Sequence, residues 1–167
     1  MKIITGGVCA AKGFKASGVH CGIRKNRTKR DISLIVSDCV GTAAAVYTTN
    51  LVKGAPLTVT KNHIADGQAQ AIICNSGNAN TCNANGIEIA EKMCALVAEA
   101  TGVRAEDVIV ASTGVIGQPL NIEPIANGIP MLAAELSPEG GEAAAVPTHS
   151  LTISEMSRFV RFLRIPQ

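Results

Sequence analysis

The stretch Val108-Ile-Val-Ala-Ser-Thr-Gly-Val-Ile-Gly117 carries the strongest structural signal in this chain. Its first four residues form a short apolar run that predicts a buried strand, and Ser112, Thr113 and Gly114 then predict a tight turn. A strand that opens into such a turn presents a hydroxyl and backbone N–H groups at its end. These groups can bind an anion or stabilise the negative charge of acyl transfer, although an ordinary strand-to-loop exit is compatible with the same residues.

The composition sets limits on the fold and on its partners. A chain of 167 residues is most naturally one domain, or a large part of one, and 47% hydrophobic residues are enough to bury a core. Aromatic residues are only 2%, so the core has to be built from Ala, Val, Ile and Leu. The same scarcity argues against stacking on single-stranded nucleic acid, and a net charge of +2 is too small to imply a polyanionic partner.

The cysteines and histidines do not suggest a metal site. There are six cysteines and no C-x-x-C pair, and the histidines at positions 20, 63 and 149 have no ligand spacing. A disulfide scaffold is not expected at this size. The N-terminus lacks the apolar core of a signal peptide, and no run approaches the length of a membrane span. We therefore expect a cytoplasmic protein with reduced cysteines and no association with membranes.

Hydrophobic periodicity predicts alternating strands and helices. The predicted strands, besides 108–111, are 32–36, 42–49, 57–60 and 69–74. The second of these is expected to pair antiparallel with the first across a tight turn at Gly41. The run 69–74 is almost entirely apolar, which is typical of a strand buried on both faces.

Two helices follow from apolar residues at three- and four-residue steps. The first covers 87–101, with Asn85 as its cap and Gly102 as its stop. The second starts after Asn121, and Pro130 is expected to kink or interrupt it. Together these elements predict an α/β fold in which helices and mixed sheets lie in layers.

Two polar stretches leave alternatives open. The basic residues of 23–30 predict a solvated hairpin loop, with a contact to phosphate or nucleic acid as the alternative. The sequence Asn75-Ser-Gly-Asn-Ala-Asn80 follows a buried strand directly. Its asparagines favour a self-capped turn, but their amides would also suit the orientation of a polar substrate.

Several motifs together resemble a known family. Gly13-Phe14, Val46-Tyr-Thr-Thr-Asn50, Asn75-Ser-Gly-Asn-Ala-Asn80 and Ala111-Ser-Thr-Gly-Val-Ile-Gly117 occur in this order, and the stretch from Leu136 to Ala145 follows them. The combination resembles the N-terminal part of the ornithine acetyltransferase family, also called glutamate N-acetyltransferase. The resemblance covers residues 1–145, and neither the Asn-rich string nor the Ser-Thr-Gly string would be specific alone.

The resemblance implies a reaction and a set of roles. The family moves acetyl from N-acetylornithine to glutamate in arginine biosynthesis, without a cofactor, although some members also accept acetyl-CoA. Its precursor cuts itself before a threonine, which becomes the nucleophile of a second, beta chain, and the chains assemble into a heterotetramer. The oxyanion hole of the family corresponds here to Thr113 and Gly114. The substrate-binding residues of this chain remain unassigned.

The segment 146–167 departs from the family pattern. No threonine in it matches the nucleophile, so the chain alone is expected to be inactive. A shift of the reading frame would explain the departure, since the codons of 146–151 can spell a family-like stretch in another frame. The alternative is a natural tail with an amphipathic end.

Two hypotheses about function therefore stand. In the first, the chain is part of an acetyltransferase that a second chain completes. In the second, it is a non-catalytic truncated product or a partner-binding module.

Overall fold

The computed structural model of the chain describes residues 7–148 and 161–163. The strands are β1 (Phe14–Val19), β2 (Ile32–Ala44), β3 (Gln68–Asn78), β4 (Val108–Val115) and β5 (Arg161–Leu163). The α-helices are α1 (Ala55–His63), α2 (Gly86–Thr101), α3 (Ile122–Ala134) and α4 (Gly141–Thr148). Three short 3-10 turns lie at Gly7–Ala10, Ile64–Asp66 and Ala105–Asp107.

The five strands form one mixed sheet. Its order is β1-β2-β3-β4, and β5 pairs with the far half of β2. β1, β2 and β3 are antiparallel neighbours, whereas β4 runs parallel to β3. The carboxyl ends of β3 and β4 therefore lie side by side at one edge of the sheet, where they can build a common site.

Helices cover both faces of the sheet, as alternating side chains require. On one face, α1, α2 and α3 bury the main core, in which Ile73, Val110, Met93 and Ile129 are almost fully excluded from solvent. Each such side chain contributes about 1.5–3 kcal/mol through burial. On the other face, α4 packs on β1 so closely that a Cβ at Gly18 would lie 2.1 Å from the Ala143 carbonyl oxygen. The predicted layered α/β fold is confirmed.

The two predicted helices are confirmed. α2 ends at Gly102, which adopts the left-handed conformation with φ of 76°. Asn85 precedes α2, but its side chain makes no capping hydrogen bond. Asn121 does cap α3, because its side chain accepts a hydrogen bond from the Glu123 backbone N–H. Of the two outcomes expected at Pro130, an interruption does not occur, since α3 continues through this residue, and a kink stays a prediction.

Two of the predicted strands, 42–49 and 57–60, differ from the structure. The runs 32–36 and 42–49 do not form a hairpin, because β2 is continuous to Ala44 and accommodates Gly41 at an irregularity in its pairing with β3. Residues 45–50 have no regular structure. Residues 57–60 belong to α1, where Pro56 lies in the first turn and its fixed φ suits a helix start.

The basic stretch 23–30 is a hairpin loop, as expected. It joins the antiparallel strands β1 and β2, and residues 25–30 are exposed. Among the described residues, no helix is long and apolar enough to cross a bilayer.

Candidate functional site

The candidate site lies where β3 and β4 end together. Here the backbone register pairs Asn75 with Ser112, Ser76 with Thr113, and Gly77 with Gly114. The sequence predicted a turn at Ser112, but the strand β4 continues to Val115. The parallel pairing with β3 holds the Ser-Thr-Gly stretch extended, and the register becomes irregular at Asn78, which pairs with both Thr113 and Val115.

Gly77 and Gly114 form the closest contact of the site. A Cβ at Gly114 would lie 2.2 Å from the Gly77 carbonyl carbon and 2.5 Å from the Asn78 nitrogen. Both glycines have positive φ, at 108° and 135°, which residues with a Cβ rarely adopt. Only glycine fits at position 114. The two backbones at this strand end consequently lie so close together that no side chain fits between them.

Thr113 directly precedes Gly114, and its side chain is half-buried. Since paired residues of neighbouring strands project to the same face, its side chain lies on the face of Ser76. No hydrogen bond of the Thr113 hydroxyl is found within the part of the chain that the structure describes. Thr113 and Gly114, the residues predicted to form an oxyanion hole, thus combine a hydroxyl with closely approached backbone.

The Asn-rich stretch forms a buried hydrogen-bond network. The Asn75 amide donates to the Asn78 carbonyl oxygen at 3.0 Å, and the Asn78 amide donates to the Gln118 carbonyl oxygen at 3.0 Å. The Asn80 amide donates to the Gly86 carbonyl oxygen at 2.8 Å, at the start of α2. Asn80 is fully buried and has a φ of 47°, a left-handed conformation that asparagine tolerates.

This network agrees with the self-capped turn more than with a set of substrate ligands. The Asn80 backbone N–H donates to the Asn78 side-chain oxygen at 2.8 Å, which is the contact of an Asx turn. The Asn78 and Asn80 amides are therefore occupied by backbone partners. They fix the path of the chain from β3 into α2.

Two polar atoms at the strand ends remain without partners. The Asn75 side-chain oxygen and the Ser112 hydroxyl are both buried and form no hydrogen bond among the described residues. A buried acceptor without a partner costs about 1–3 kcal/mol, so such atoms need an explanation. The two belong to paired residues on the face that α1, α2 and α3 cover, opposite to Thr113. The sequence named both only as members of their motifs, Ser112 in the Ser-Thr-Gly turn and Asn75 in the Asn-rich string.

Arg24 is a second feature that the sequence did not identify. Its backbone belongs to the basic hairpin loop, but its side chain turns inward, and its Nε donates to the Ser76 hydroxyl at 2.9 Å. A Cβ at Gly77 would lie 2.9 Å from the Arg24 Cγ, so the arginine packs directly on this glycine. A cationic side chain thus contacts the end of β3 at Ser76, the residue that is paired with Thr113.

Three of the six cysteines are poor candidates for a nucleophile at this site. Burial raises the pKa of Cys74 to about 12, and burial followed by the charge of Glu91 raises the pKa of Cys94 to about 12. Burial and the neighbouring Asp31 carboxylate raise the pKa of Cys21 to about 12. These thiols are protonated at neutral pH, and thiols are poor nucleophiles. All six cysteines are free.

The histidines in the described region serve structural contacts. His63 bridges three elements, since its Nδ1 lies 2.8 Å from the Val108 carbonyl oxygen and its Nε2 lies 3.1 Å from Glu91 Oε2. His20 lies 3.1 Å from the Asp31 carboxylate, and His149 is outside the described residues. Residues 7–148 and 161–163 contain no group of His, Cys, Asp and Glu that would hold a metal ion.

The fold and this site define an α/β protein whose candidate chemistry lies at the carboxyl ends of two parallel strands. The model of the ArgJ family matches residues 15–161, and the chain belongs to this family. The resemblance to the ornithine acetyltransferase family is thereby confirmed. The match extends beyond Ala145, where the resemblance was expected to stop, and the origin of 146–167 stays a prediction.

Relatives with curated names support the assignment. An arginine biosynthesis bifunctional protein ArgJ from Caldanaerobacter subterraneus is 48% identical over 146 residues, which are 87% of this chain and 36% of that relative. Its counterpart from Symbiobacterium thermophilum is 48% identical over 147 residues, or 87% of this chain and 37% of that relative. The chain thus spans about a third of the length of the curated relatives that it matches.

Two solved structures have the same fold. The crystal structure of arginine biosynthesis bifunctional protein ArgJ from Bacillus halodurans matches with a TM-score of 0.77 and 41% identity, over 85% of this chain and 74% of that one. Ornithine acetyltransferase from Mycobacterium tuberculosis, crystallised in complex with ornithine, matches with a TM-score of 0.79 and 34% identity. That match covers 84% of this chain and 77% of the other.

Proposed function

We propose that this chain is the first segment of an acyltransferase that moves acetyl from N-acetylornithine to glutamate in arginine biosynthesis. Membership of the ArgJ family and the names of the relatives support the reaction. The observation that carries the proposal for this segment is the contact of Gly77 with Gly114. It fixes the backbone directly beside the Thr113 hydroxyl, as a preorganised oxyanion hole requires.

In the proposed reaction, a threonine hydroxyl of a second segment attacks the acetyl carbonyl carbon. The carbonyl oxygen becomes an oxyanion, which accepts hydrogen bonds from Thr113 and Gly114. Collapse of this intermediate expels the ornithine amine, which takes up a proton, and leaves an acetyl ester on the threonine. The glutamate amine then attacks the ester and regenerates the hydroxyl.

The nucleophile needs no histidine in this scheme. When a threonine is the first residue of its chain, its own α-amine serves as the base for its hydroxyl. The described histidines face backbone carbonyls and carboxylates rather than the end of β4. The proposal requires no metal and no cofactor, since the α-amine base and the oxyanion hole together assist attack on the unactivated amide carbonyl of the donor. We propose that the reaction takes place in the cytoplasm.

Two observations support the dependence on a second segment. The first is length, since this chain covers 36% of a curated relative but 74% of a crystallised chain. The crystallised chains are therefore about half as long as the curated sequences (36/74), as cleavage of a precursor into two chains would produce. A heterotetramer of such chains belongs to the same proposal.

The second observation is an exposed apolar surface beside the site. Val115 and Ile116, at the end of β4, are 48% and 62% exposed. Leu51 and Val52 are 96% and 62% exposed, in a segment that reaches the same end of the sheet through pairing of Gly54 with Thr81. Apolar groups clustered in this way are typical of a surface that another segment covers.

Replacement of Thr113 by alanine tests the proposal. The assay needs a completed enzyme, in which residues 1–145 of this chain replace the matching segment of the Caldanaerobacter relative. Loss of one oxyanion donor costs about 3 kcal/mol of barrier, so turnover of N-acetylornithine and glutamate should fall ~100-fold or more. Thr113→Ser keeps the hydroxyl and serves as the matched control. Equal turnover of the alanine variant and the parent would rule out the role.

The isolated chain separates this proposal from the alternative of a non-catalytic, partner-binding module. Both require the exposed apolar surface, but only the first predicts that acetyl transfer appears when the missing segment is supplied. We expect no transfer by residues 1–167 alone. Measurable turnover by the isolated chain would contradict the dependence on a second segment.

A further inference from the structure

A buried carboxylate organises the loop that follows β1. Asp31 is fully buried, and its carboxylate accepts backbone N–H groups from Cys21 at 2.7 Å, Gly22 at 3.2 Å and Arg24 at 2.9 Å. The His20 ring approaches the same carboxylate at 3.1 Å. A carboxylate that receives several N–H donors is a strong and directional anchor. Residues 20–24 therefore have a fixed path, unlike the exposed residues 25–30 of the same hairpin.

The anchored loop brings Arg24 against β3. The Arg24 Nε donates to the buried Ser76 hydroxyl, and the Arg24 stem packs on Gly77. Asp31 also contacts this strand directly, because its backbone carbonyl accepts the Ser76 N–H at 2.8 Å. One carboxylate residue thus fixes both the arginine and the strand that the arginine contacts.

The contact continues from β3 to the candidate oxyanion hole. Ser76 pairs with Thr113 across the parallel strands, and Gly77 is the residue whose backbone approaches Gly114 most closely. A displacement of Ser76 and Gly77 would therefore change the backbone of β4 at the residues that hold the oxyanion. Small errors of this kind are costly in catalysis, since donors must lie about 2.7–3.1 Å from the developing charge.

We propose that Arg24 is a positioning residue. Asp31 holds the Arg24 backbone in place. The contacts of the Arg24 side chain with Ser76 and Gly77 then fix the backbone that forms the Thr113–Gly114 oxyanion hole. The catalytic consequence rests on the proposed function. The structural part does not, because it concerns the order of the strand end in the isolated chain. Arg24 acts through Ser76 and Gly77 and contacts no substrate in this scheme.

Hydrogen exchange of the whole chain, followed by mass spectrometry, tests the structural part. Arg24→Met keeps most of the aliphatic stem and removes the hydrogen bond and the charge. A hydrogen bond to a charged group stabilises enough to slow local opening about tenfold, so exchange in residues 112–117 should accelerate by about that factor. Exchange in α2 should not change. Arg27→Met, on the exposed part of the same loop, is the matched control and should leave both regions unaffected.

Two further variants keep the test decisive if Arg24→Met weakens the whole fold. Ser76→Ala removes only the acceptor and should accelerate exchange in 112–117 alone, whereas Arg24→Lys keeps a donor and the charge and should restore most of the protection. Unchanged exchange in 112–117 for Arg24→Met would overturn the proposal. Equal acceleration in α2 for both Arg24→Met and Ser76→Ala would also overturn it, because Arg24 would then support the fold in general.

Kinetics of the completed enzyme test the catalytic part. Poor alignment of the oxyanion hole weakens binding of the transition state more than binding of the substrate, so Arg24→Met should lower kcat about tenfold and leave KM nearly unchanged. A rise in KM at constant kcat would instead make Arg24 a substrate ligand and contradict the positioning role. If Thr113→Ala keeps full activity while Arg24→Met still accelerates exchange, the proposed function fails and the structural inference stands.

Discussion

The ends of β3 and β4 lie side by side but use their polar groups in opposite ways. At the end of β3, the side-chain amides of Asn75, Asn78 and Asn80 are buried and donate to backbone carbonyls, and only the Asn75 side-chain oxygen lacks a partner among the described residues. At the end of β4, residues 114–119 are exposed, and the half-buried Thr113 side chain makes no hydrogen bond among the described residues. The first end is built for support. The second has an unpartnered hydroxyl next to exposed backbone, as the proposed reaction requires.

The difference shows that density of polar residues is a poor guide to function. The Asn-rich string is the more unusual sequence, yet the Asn78 and Asn80 side chains are hydrogen-bonded within the turn that leads into α2. The Ser-Thr-Gly string is common in loops, but the contact between Gly77 and Gly114 makes it exceptional here. Substitutions at the two ends should therefore separate effects on stability from effects on reaction.

The largest effect on stability is expected for Gly114→Ala. The new Cβ would overlap with the Gly77 backbone at 2.2 Å and would need a φ of 135°, so the free energy of unfolding should fall by ~3 kcal/mol or more. Gly117→Ala is the matched control, because Gly117 also has positive φ but no atom within 4 Å of its added Cβ. It should cost only about 1–2 kcal/mol. Equal losses in urea unfolding would show that the strand contact is unimportant.

A smaller loss is expected for Asn80→Ala in the supporting end. The change removes the hydrogen bond to the Gly86 carbonyl and leaves that buried oxygen without this donor, at a cost of about 1–3 kcal/mol. Asn85→Ala provides the comparison, since the exposed Asn85 side chain makes no capping hydrogen bond at the start of α2. Its effect should be within about 0.5 kcal/mol. If Asn80→Ala were equally mild, the asparagines would not form the support described above.

A further effect, confined to alkaline pH, is a loss of stability. The pKa of the buried thiols Cys74 and Cys94 rises from 9.0 in the unfolded chain to about 12 in the fold. The folded state then binds more protons than the unfolded state, so this stability is present below about pH 9 and is lost as the pH rises toward 12. Thermal unfolding across this range should show a decline that Cys74→Ala reduces. Cys39→Ser, at an exposed cysteine, should leave the decline unchanged.

The sequence predicts the two longest helices and the most apolar strands of this fold, but it misses α1. α2 is long and has one clear apolar stripe and a glycine stop, so local and tertiary preferences agree. Residues 57–60 contain β-branched side chains and suggested a strand, but they form α1, in which the Thr60 hydroxyl donates to the Val110 carbonyl oxygen. Packing against β4 overrides the local propensity there, and a single sequence does not contain that partner.

The site divides in the same way. Thr113 and Gly114 were predicted from the resemblance to a family, and the structure shows how their strand end is held. Gly77 and Arg24 could not be found in this manner, because their importance depends on contacts between segments far apart in the chain. Arg24 in particular belongs to a basic loop whose neighbours, such as Arg27, are exposed. Charge alone does not separate the two arginines.

The most direct test compares activity and stability in a single variant, Thr113→Ala. The hydroxyl has no partner among the described residues, so urea unfolding of the isolated chain should change by no more than about 0.5 kcal/mol. In the completed enzyme, the same substitution should lower the turnover of N-acetylornithine and glutamate by ~100-fold or more. This combination would identify Thr113 as a residue kept for the reaction. A variant that loses stability in proportion to activity, or that loses no activity, would contradict the account.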